Sequence, residues 1–348
     1  MKYIFKPGIN REGTNYSNEG GWYSADKVRF RMGKPERIAG WEKNTLDNFT
    51  GTCRSLYSYR DQGQTDYVGV STHLKYFLLQ GDNFNDITPI RKTSTNSITF
   101  AATDGSSSLI VTDSSHGAVA NDTVTFAEAV SLGGTVTAAV LNQSYIVIRT
   151  LTVNTYEVTA KDTSGDAVVA NSSDTGNGGS AVDGIYEINV GLDVYVKGTG
   201  WGAGSWSSST WGSVSPISSS NQLRLWSQDN FGDDLIACVR GGGIYYWDES
   251  AGATQRAVPF SDLGSASNTP TLSLQIMVSD VDKHIICFGA NAIGESIVNP
   301  LLVRWSDTES ASDWTPTSTN QAGGVQLSQG STIIGALQTR QEILIWSD

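Results

Sequence analysis

The chain has 348 residues, of which 17% are charged, 37 are Gly, 8 are Pro and 10 are Trp. An average soluble domain has roughly 25% charged residues, so this chain is poor in charge and rich in glycine and aromatic residues. This composition favours an all-β protein with many turns and argues against a coiled coil, a helical bundle or a disordered chain. The net charge of -12 argues against a general nucleic-acid-binding surface, because phosphate contacts need Lys and Arg.

The first 43 residues are predicted to form a basic N-terminal arm. They hold nine Lys or Arg against five Asp or Glu, whereas the rest of the chain holds 14 against 30. Residues 26–31 alternate basic and apolar side chains, which predicts a half-buried strand with a basic face of Lys27, Arg29 and Arg31. Three interpretations stay open: the arm docks on the acidic body of a neighbouring subunit, folds back on its own body, or is an evenly solvated segment.

A weak internal repeat follows the arm. In each copy, an apolar strand that ends in an aromatic residue is followed 11 or 12 residues later by Pro. These strands lie at residues 74–77, 243–247 and 302–305, and a fourth begins at 343. Two further strand patterns precede each of the first three, at 55–59 and 66–70, 223–226 and 234–238, and 274–278 and 284–288. Three or four short strands per unit predict the blades of a β-propeller with aromatic side chains between blades. A β-sandwich with a chance repeat is the alternative.

Residues 92–190 interrupt the repeat with a composition rich in Ser, Thr, Val, Ala, Asn and Gly. Strand patterns at 108–112, 123–126, 145–148 and 156–158 predict a small β-sandwich domain inserted into a propeller loop, where insertions cost little. We therefore assign residues 44–91 to the first blade or blades and 191–348 to further blades. The strand at 343–346 has no partner after it, so we expect an incomplete propeller and a chain that is longer or covered only in part.

The segment at residues 198–212 combines Gly and Ser with Trp201, Trp206 and Trp211. It is typical of a loop that presents Trp side chains to a surface or a neighbouring molecule. Its Gly198-x-Gly200-x-x-Ala203 pattern matches a dinucleotide-binding fingerprint only nominally. We reject that interpretation, because no helix and no βαβ unit are predicted around it.

Residues that carry chemistry are sparse and scattered, so we predict no catalytic, cofactor-binding or metal-binding residues. His73, His116 and His284 lack the spacing of a zinc site, and no Walker A loop or Gly-x-Ser-x-Gly elbow occurs. The other candidates are three thiols, two acidic pairs and one loop: Cys53, Cys238 and Cys287; Asp233–Asp234 and Asp280–Asp282; and residues 162–166. We interpret the thiols as buried and the acidic pairs as solvated turns rather than a glycosidase pair. The loop lacks the Glu at position 12 of a calcium loop, and occasional calcium binding there remains an alternative.

The N-terminal region resembles a known family. The sequences PGINREGTNYS at 7–17, EGGW at 19–22, DKVRFR at 26–31, PE at 35–36 and GW at 40–41 are similar to the opening of tail hub proteins of short-tailed bacteriophages (podoviruses), also called packed-DNA stabilisation or tail nozzle proteins. The Trp/Gly segment at 198–212 and NFGDDLI at 230–236 look similar to the same family. Ala39 stands where we expect Gly. The resemblance extends over the whole chain, and the insert resembles the variable β-domains of phage structural proteins.

The resemblance implies a virion structural protein rather than an enzyme. Family members form a homo-oligomeric ring, usually a hexamer, below the portal and adaptor proteins, and fibres, spikes or a needle attach nearby. The ring continues the DNA channel and retains the packaged genome until ejection, and DNA passes without specific binding. We expect assembly in the bacterial host cytoplasm and a place in the phage tail, with no cofactor, no secretory signal and no membrane-spanning segment.

Two other functions are considered. A tail-associated glycan-binding or glycan-cleaving β-propeller protein would use Trp201, Trp206 and Trp211 to stack on sugars. A free cytoplasmic propeller scaffold is the third possibility. A closed six-fold ring favours the first function, and binding on a glycan array favours the second.

Overall fold

The computed structural model describes residues 6–14, 16–38, 40, 42, 43, 45, 47–190, 225–340 and 342–348. The predicted Trp/Gly segment at 198–212 lies outside these residues. The chain divides into two compact units, residues 1–46 and residues 47–348. Both units are built from antiparallel β-sheets, which confirms the all-β prediction.

The N-terminal unit contains one two-stranded hairpin, β1 (Val28–Arg31) and β2 (Lys34–Arg37), among its described residues. In β1 the apolar Val28 and Phe30 are half-buried, whereas Arg29 and Arg31 are exposed. The predicted half-buried strand with a basic face is therefore confirmed for Arg29 and Arg31, whereas the strand begins at Val28 and Lys27 lies before it. The ring of Phe30 packs against Trp22 with 6.0 Å between centroids. No apolar side chain is buried among the described residues of this unit.

Three four-stranded antiparallel sheets and one two-stranded sheet form a partial β-propeller in the described part of residues 47–348. The first blade consists of β3 (Cys53–Arg60), β4 (Asp66–Thr72), β5 (Tyr76–Gln80) and β6 (Asn83–Asp86). The second consists of β15 (Trp226–Phe231), β16 (Asp234–Val239), β17 (Ile244–Trp247) and β18 (Val258–Pro259). The third consists of β19 (Gln275–Val278), β20 (Ile285–Phe288), β21 (Leu302–Trp305) and β22 (Gly323–Gln326), and β23 (Ile333–Gln338) pairs with β24 (Ile343–Ser347). Short 3-10 helices lie at Glu249–Ala251 and Phe260–Asp262.

Aromatic side chains fill the spaces between consecutive blades, as the repeat predicted. Tyr76 of the first blade stacks on Trp226 of the second at 4.9 Å, and Tyr67 meets Trp247 edge-on at 5.6 Å. Between the second and third blades, an apolar cluster includes the buried Trp314. Each blade is thus apolar on the face it turns to its neighbour, which gives the partial propeller a continuous core in chain order.

The first strands of the blades are joined by side-chain hydrogen bonds to the next blade. The Ile276 amide donates to Ser227 Oγ at 3.0 Å, and the Val278 amide donates to Asp229 Oδ2 at 2.8 Å. The predicted strand at 223–226 overlaps β15 at Trp226, and residues 223 and 224 lie outside the described residues; β15 continues through the polar residues Ser227 to Asn230. These residues favour a strand here because their side chains satisfy backbone donors of the third blade.

The inserted domain is a β-sandwich whose entry and exit strands are neighbours in one sheet. That sheet has the order β11-β10-β14-β7, and the second sheet has the order β12-β13-β9-β8. The strands are β7 (Ile90–Ser94), β8 (Thr99–Ala102), β9 (Ser108–Thr112), β10 (Thr123–Ala127), β11 (Ser144–Ile146), β12 (Arg149–Thr152), β13 (Thr155–Thr159) and β14 (Asp183–Glu187), with one helix, α1 (Ala138–Leu141). Pairing of β7 with β14 brings both ends of the domain together, so it fits into one loop of the propeller.

A carboxylate inside the sandwich holds one of its long loops. Asp174 is 6% exposed, and its Oδ1 accepts hydrogen bonds from the Gly134 amide at 2.9 Å and the Val136 amide at 3.0 Å. Its Oδ2 accepts hydrogen bonds from the Asn171 and Thr135 amides at 2.8 and 3.2 Å. Burial opposes ionisation of Asp174, but these hydrogen bonds outweigh it and lower the pKa of the carboxyl.

Replacing Asp174 by Asn should destabilise the inserted domain by about 2 kcal/mol at pH 7, because backbone donors lose their acceptor. A carboxyl group whose pKa is lower in the folded state stabilises the fold at pH values above its unfolded pKa of about 4. This stabilisation is lost as the pH falls through the pKa of the folded state. Urea unfolding should therefore separate wild type from Asp174→Asn at pH 7 and bring them together below about pH 3. Asp166→Asn, at an exposed turn, is the control. An equal difference between wild type and Asp174→Asn at both pH values contradicts the prediction.

Candidate functional site

Acidic residues are concentrated at one end of the partial propeller. The first strands of the blades run parallel: Tyr57 contacts Asp229 and Asn230, and the Gln62 amide donates to Asp233 Oδ1 at 2.8 Å. The turns that follow these strands therefore lie at the same end, which we call the acidic end. Acidic residues in the turns and loops there are Asp61, Asp82, Asp233, Asp248, Glu249, Asp280, Asp282, Asp307 and Glu309. An end with this composition repels phosphate and attracts basic groups.

Hydrogen bonds from backbone amides hold some carboxylates at the acidic end in place. Asp61 Oδ1 accepts a hydrogen bond from the Thr65 amide at 2.6 Å, and Asp234 Oδ1 accepts one from the Glu249 amide at 2.9 Å. Asp234 also accepts a hydrogen bond from the hydroxyl of Tyr246. We call the half-buried group Asp61, Asp233, Asp234 and Glu249 the acidic rim.

Aromatic rings lie next to the acidic rim, between the first and second blades. Tyr59 stacks on Tyr57 at 6.0 Å and on Tyr67 at 5.4 Å. The hydroxyl of Tyr67 donates to Glu249 Oε1 at 3.1 Å, and burial together with this carboxylate raises the pKa of Tyr67 to about 12. Tyr59 is 9% exposed, and its hydroxyl makes no hydrogen bond in the part of the chain that the structure describes. Burial, followed by the charges of Tyr67, Asp234, Glu249 and Asp61, raises the pKa of Tyr59.

The first strands of the four sheets line an axial groove with a volume of about 440 Å³. Its wall combines polar and apolar side chains, including Tyr57, Gln228, Asp229, Gln275, Met277, Asp280, Leu337 and Gln338. Tyr57 donates a hydrogen bond to Asp229 Oδ1 at 2.8 Å. Burial raises the pKa of the Asp229 carboxyl, and the negative charge of Asp280 raises it further, although three hydrogen bonds act in the opposite direction. Asp229 thus joins three blades and also borders the groove.

A network of partly buried ion pairs around the buried Glu187 fixes the inserted domain to the propeller. Lys75 Nζ lies 2.7 Å from both Asp86 Oδ2 and Glu187 Oε1. Arg256 Nη1 lies 2.7 Å from Asp86 Oδ1 and 3.1 Å from Glu187 Oε1. The network therefore balances two cations with two carboxylates. These groups come from the first blade, the second blade and the exit strand of the insert. Lys75 lies in the β4–β5 turn, so the insert joins the propeller at the end opposite the acidic end.

The two carboxylates of this network respond differently to their surroundings. Burial opposes ionisation of Asp86, but Lys75, Thr88 and Arg256 outweigh it and lower the pKa of the carboxyl. Glu187 has a side chain only 1% exposed, and burial raises its pKa despite the two cations. Its Oε2 has no hydrogen-bond partner among the residues described. Loss of either cation therefore leaves buried negative charge with less compensation.

The histidines and cysteines form no common site. Each histidine is held by backbone atoms of its own region: His73 by Thr52, His116 by Ala118 and Thr152, and His284 by Ser306. Cys53, Cys238 and Cys287 are free thiols. Cys238 and Cys287 are buried as predicted, whereas Cys53 is half-buried, which corrects the expectation that all three are buried. Burial raises the pKa of the Cys238 thiol to about 12, so its thiolate is scarce at neutral pH.

The predicted acidic pairs and the calcium-like loop lie apart from one another. Asp233 and Asp282 belong to turns at the acidic end, in the second and third blades. Asp162 Oδ1 accepts hydrogen bonds from the Ser164 and Asp166 amides at 2.8 and 2.9 Å, so it closes its own turn in the insert. Within the described ranges, no group of three or more His, Cys, Asp or Glu residues is placed to hold a metal ion. Trp201, Trp206 and Trp211 lie outside those ranges.

Comparison with known proteins assigns no family to this chain. No protein-family model matches the chain, and no curated protein sequence matches it. A solved structure, the phage phi92 endosialidase, is similar with a TM-score of 0.26 and 13% sequence identity over 90% of this chain. This chain spans 43% of the length of that endosialidase chain. Among the described residues, no helix has the length and apolar character needed to cross a bilayer.

Proposed function

We propose that this chain is a structural protein of a phage tail, a tail hub or nozzle subunit. Six copies would form a ring below the portal and adaptor proteins, continue the DNA channel and retain the packaged genome until ejection. Tail fibres, spikes or a needle would attach nearby. DNA would pass through this ring without being specifically bound.

The observation that carries this proposal is the placement of charge on the partial propeller. The turns and loops at one end hold nine acidic residues, and side-chain hydrogen bonds between first strands keep these turns in register. An acidic wall repels DNA phosphates, which favours passage over binding. The resemblance at residues 7–41 supports the same function independently of the propeller.

The test measures assembly and DNA binding of the full chain together. We expect closed rings in electron micrographs and no retention of linear duplex DNA in a gel-shift assay at low salt, where non-specific binding is strongest. Replacing Asp280 and Asp282 by Lys should create salt-sensitive DNA binding without disrupting the rings. A wild-type chain that stays monomeric at micromolar concentration, or binds duplex DNA tightly, contradicts the proposal.

A second candidate, a tail-associated glycan-binding or glycan-cleaving protein, rests on the axial groove. A glycosidase needs one carboxyl with a raised pKa beside an ionised one, and burial raises the pKa of Asp229 next to Asp280. The hydrogen bonds that Asp229 accepts from the Val278 amide and Tyr57 favour a structural role instead. Hydrolysis or binding of phage-receptor glycans by wild type, abolished in Asp280→Asn, would favour the second candidate. No signal on a glycan array would exclude it.

A further inference from the structure

The hairpin of the N-terminal unit presents three basic residues on one face, Arg29, Arg31 and Lys34, of which Arg29 has an ion-pair partner in the same hairpin. Cross-strand pairing places Arg29 opposite Glu36 and Arg31 opposite Lys34, so these four side chains share a face. Arg29 forms an exposed ion pair with Glu36 at 3.1 Å, whereas no ion pair of Arg31 or Lys34 occurs among the described residues. Two adjacent like charges on one hairpin disfavour each other unless an acidic partner covers them.

Among its described residues, the same unit has no buried apolar side chain. Large side chains stand in solvent, including Tyr16 at 94%, Tyr23 at 66% and Met32 at 92% exposure. An isolated two-stranded hairpin is only marginally stable in water, so a unit of this kind gains stability from a surface that covers it. Exposed aromatic side chains next to Arg are typical of the centre of a protein interface.

A tyrosine next to the acidic rim has a hydroxyl group without a hydrogen-bond partner among the described residues. The Tyr59 hydroxyl is buried without a hydrogen-bond partner in the described ranges, and its ring stacks at 5.4 Å on Tyr67, whose hydroxyl donates to Glu249 of the rim. A guanidinium group carries five N–H donors in a planar fork and stacks on aromatic rings. One Arg side chain can therefore pair with a rim carboxylate and, once the groups that bury the Tyr59 oxygen shift on docking, with that oxygen as well.

We propose that the basic face of the hairpin in one subunit, formed by Arg29, Arg31 and Lys34, docks on the acidic rim of a second copy of this chain. The inference rests on the ring proposed above and identifies its subunit contact. Each copy carries one basic face and one rim, so repeated head-to-tail contacts close a ring when the rotation between copies allows it. Two alternatives compete with this contact. The hairpin could fold back on the acidic rim of its own chain, or it could dock on a different tail protein.

The experiment exchanges the charges between the two surfaces in the full chain. The arm variant carries Arg29→Glu, Arg31→Glu and Lys34→Glu, and the rim variant carries Asp61→Lys, Asp233→Lys and Glu249→Lys. Mass photometry should show at least a tenfold loss of rings for each variant alone, because three exposed ion pairs become repulsive contacts. An equimolar mixture should recover rings in which the two variants alternate, since each acidic arm then meets a basic rim.

The mixture separates the proposed contact from its competitors. If the chain carrying all six substitutions assembles but the mixture does not, the arm folds back on its own subunit and the proposal is wrong. If neither variant changes the rings, the arm contacts something else and the proposal is equally wrong. A wild-type chain that never forms rings contradicts the proposed function instead, so the two failures are distinguishable.

Two further variants guard against misfolding and against effects of net charge. Asp104→Lys, Asp166→Lys and Glu295→Lys shift the net charge as much as the rim variant but lie away from the rim, so rings should persist. Tyr59→Phe removes only the unpartnered hydroxyl. It should leave the thermal unfolding temperature unchanged or raised and weaken subunit association about fivefold. Unchanged association in Tyr59→Phe would show that no partner group reaches this hydroxyl and would remove the rim from the interface.

Discussion

Replacing Lys75 by Met is expected to lower the free energy of unfolding by about 3 kcal/mol, because it removes one cation from a partly buried network. Asp86 and Glu187 would then share the single charge of Arg256, and the Glu187 side chain is only 1% exposed. Met keeps the length of the side chain, so the loss reports charge rather than packing. Urea unfolding followed by tryptophan fluorescence at pH 7 measures it.

We attribute the expected loss of stability to the lost charge balance rather than to the lysine side chain itself, and a double variant tests this. Lys75→Met with Glu187→Gln removes one charge of each sign and leaves the pair Asp86–Arg256 at 2.7 Å. It should recover more than half of the stability lost in Lys75→Met. Arg60→Met breaks an exposed ion pair with Asp66 and should have no measurable effect. A double variant that is less stable than Lys75→Met would show that charge balance does not govern this site.

Trp247→Ala should destabilise the partial propeller by about 3–5 kcal/mol, because it opens a cavity between the first and second blades. Trp247 is 1% exposed and packs edge-on against Tyr67 at 5.6 Å. The matched control is Trp346→Ala, since Trp346 is 51% exposed and its loss should change stability by less than about 0.5 kcal/mol. Equal effects of the two substitutions in thermal unfolding would contradict the packing of aromatic residues between blades.

Local sequence patterns predicted the elements whose side chains alternate or form apolar runs. The aromatic strands β5, β17 and β21 were found because their apolar residues fill the space between blades. Their outer partners were harder to find: β6 is the polar segment Asn83–Asp86, and β18 has two residues. Strands at the outer edge of a blade bury little apolar surface, so their sequences show no apolar pattern.

The contacts that join the parts of the molecule were not predictable from one sequence. Lys75 and Glu187 lie 112 positions apart, and Tyr57 and Asp229 lie 172 apart. Their pairing depends on the stacking of blades and on the place where the insert leaves the propeller. The polar residues of β15 show the same effect, because Ser227 and Asp229 pair with β16 and also accept hydrogen bonds from backbone donors of the next blade. The acidic turns were visible in the sequence, but their common end was not.

The number of copies in the particle formed by the full chain tests the central claim most directly. Mass photometry combined with two-dimensional class averages from electron microscopy should show closed rings of six copies around a central opening. A chain that remains a single copy over the same concentration range, and that binds or cleaves a glycan, would contradict this account of the protein as a passive conduit for DNA.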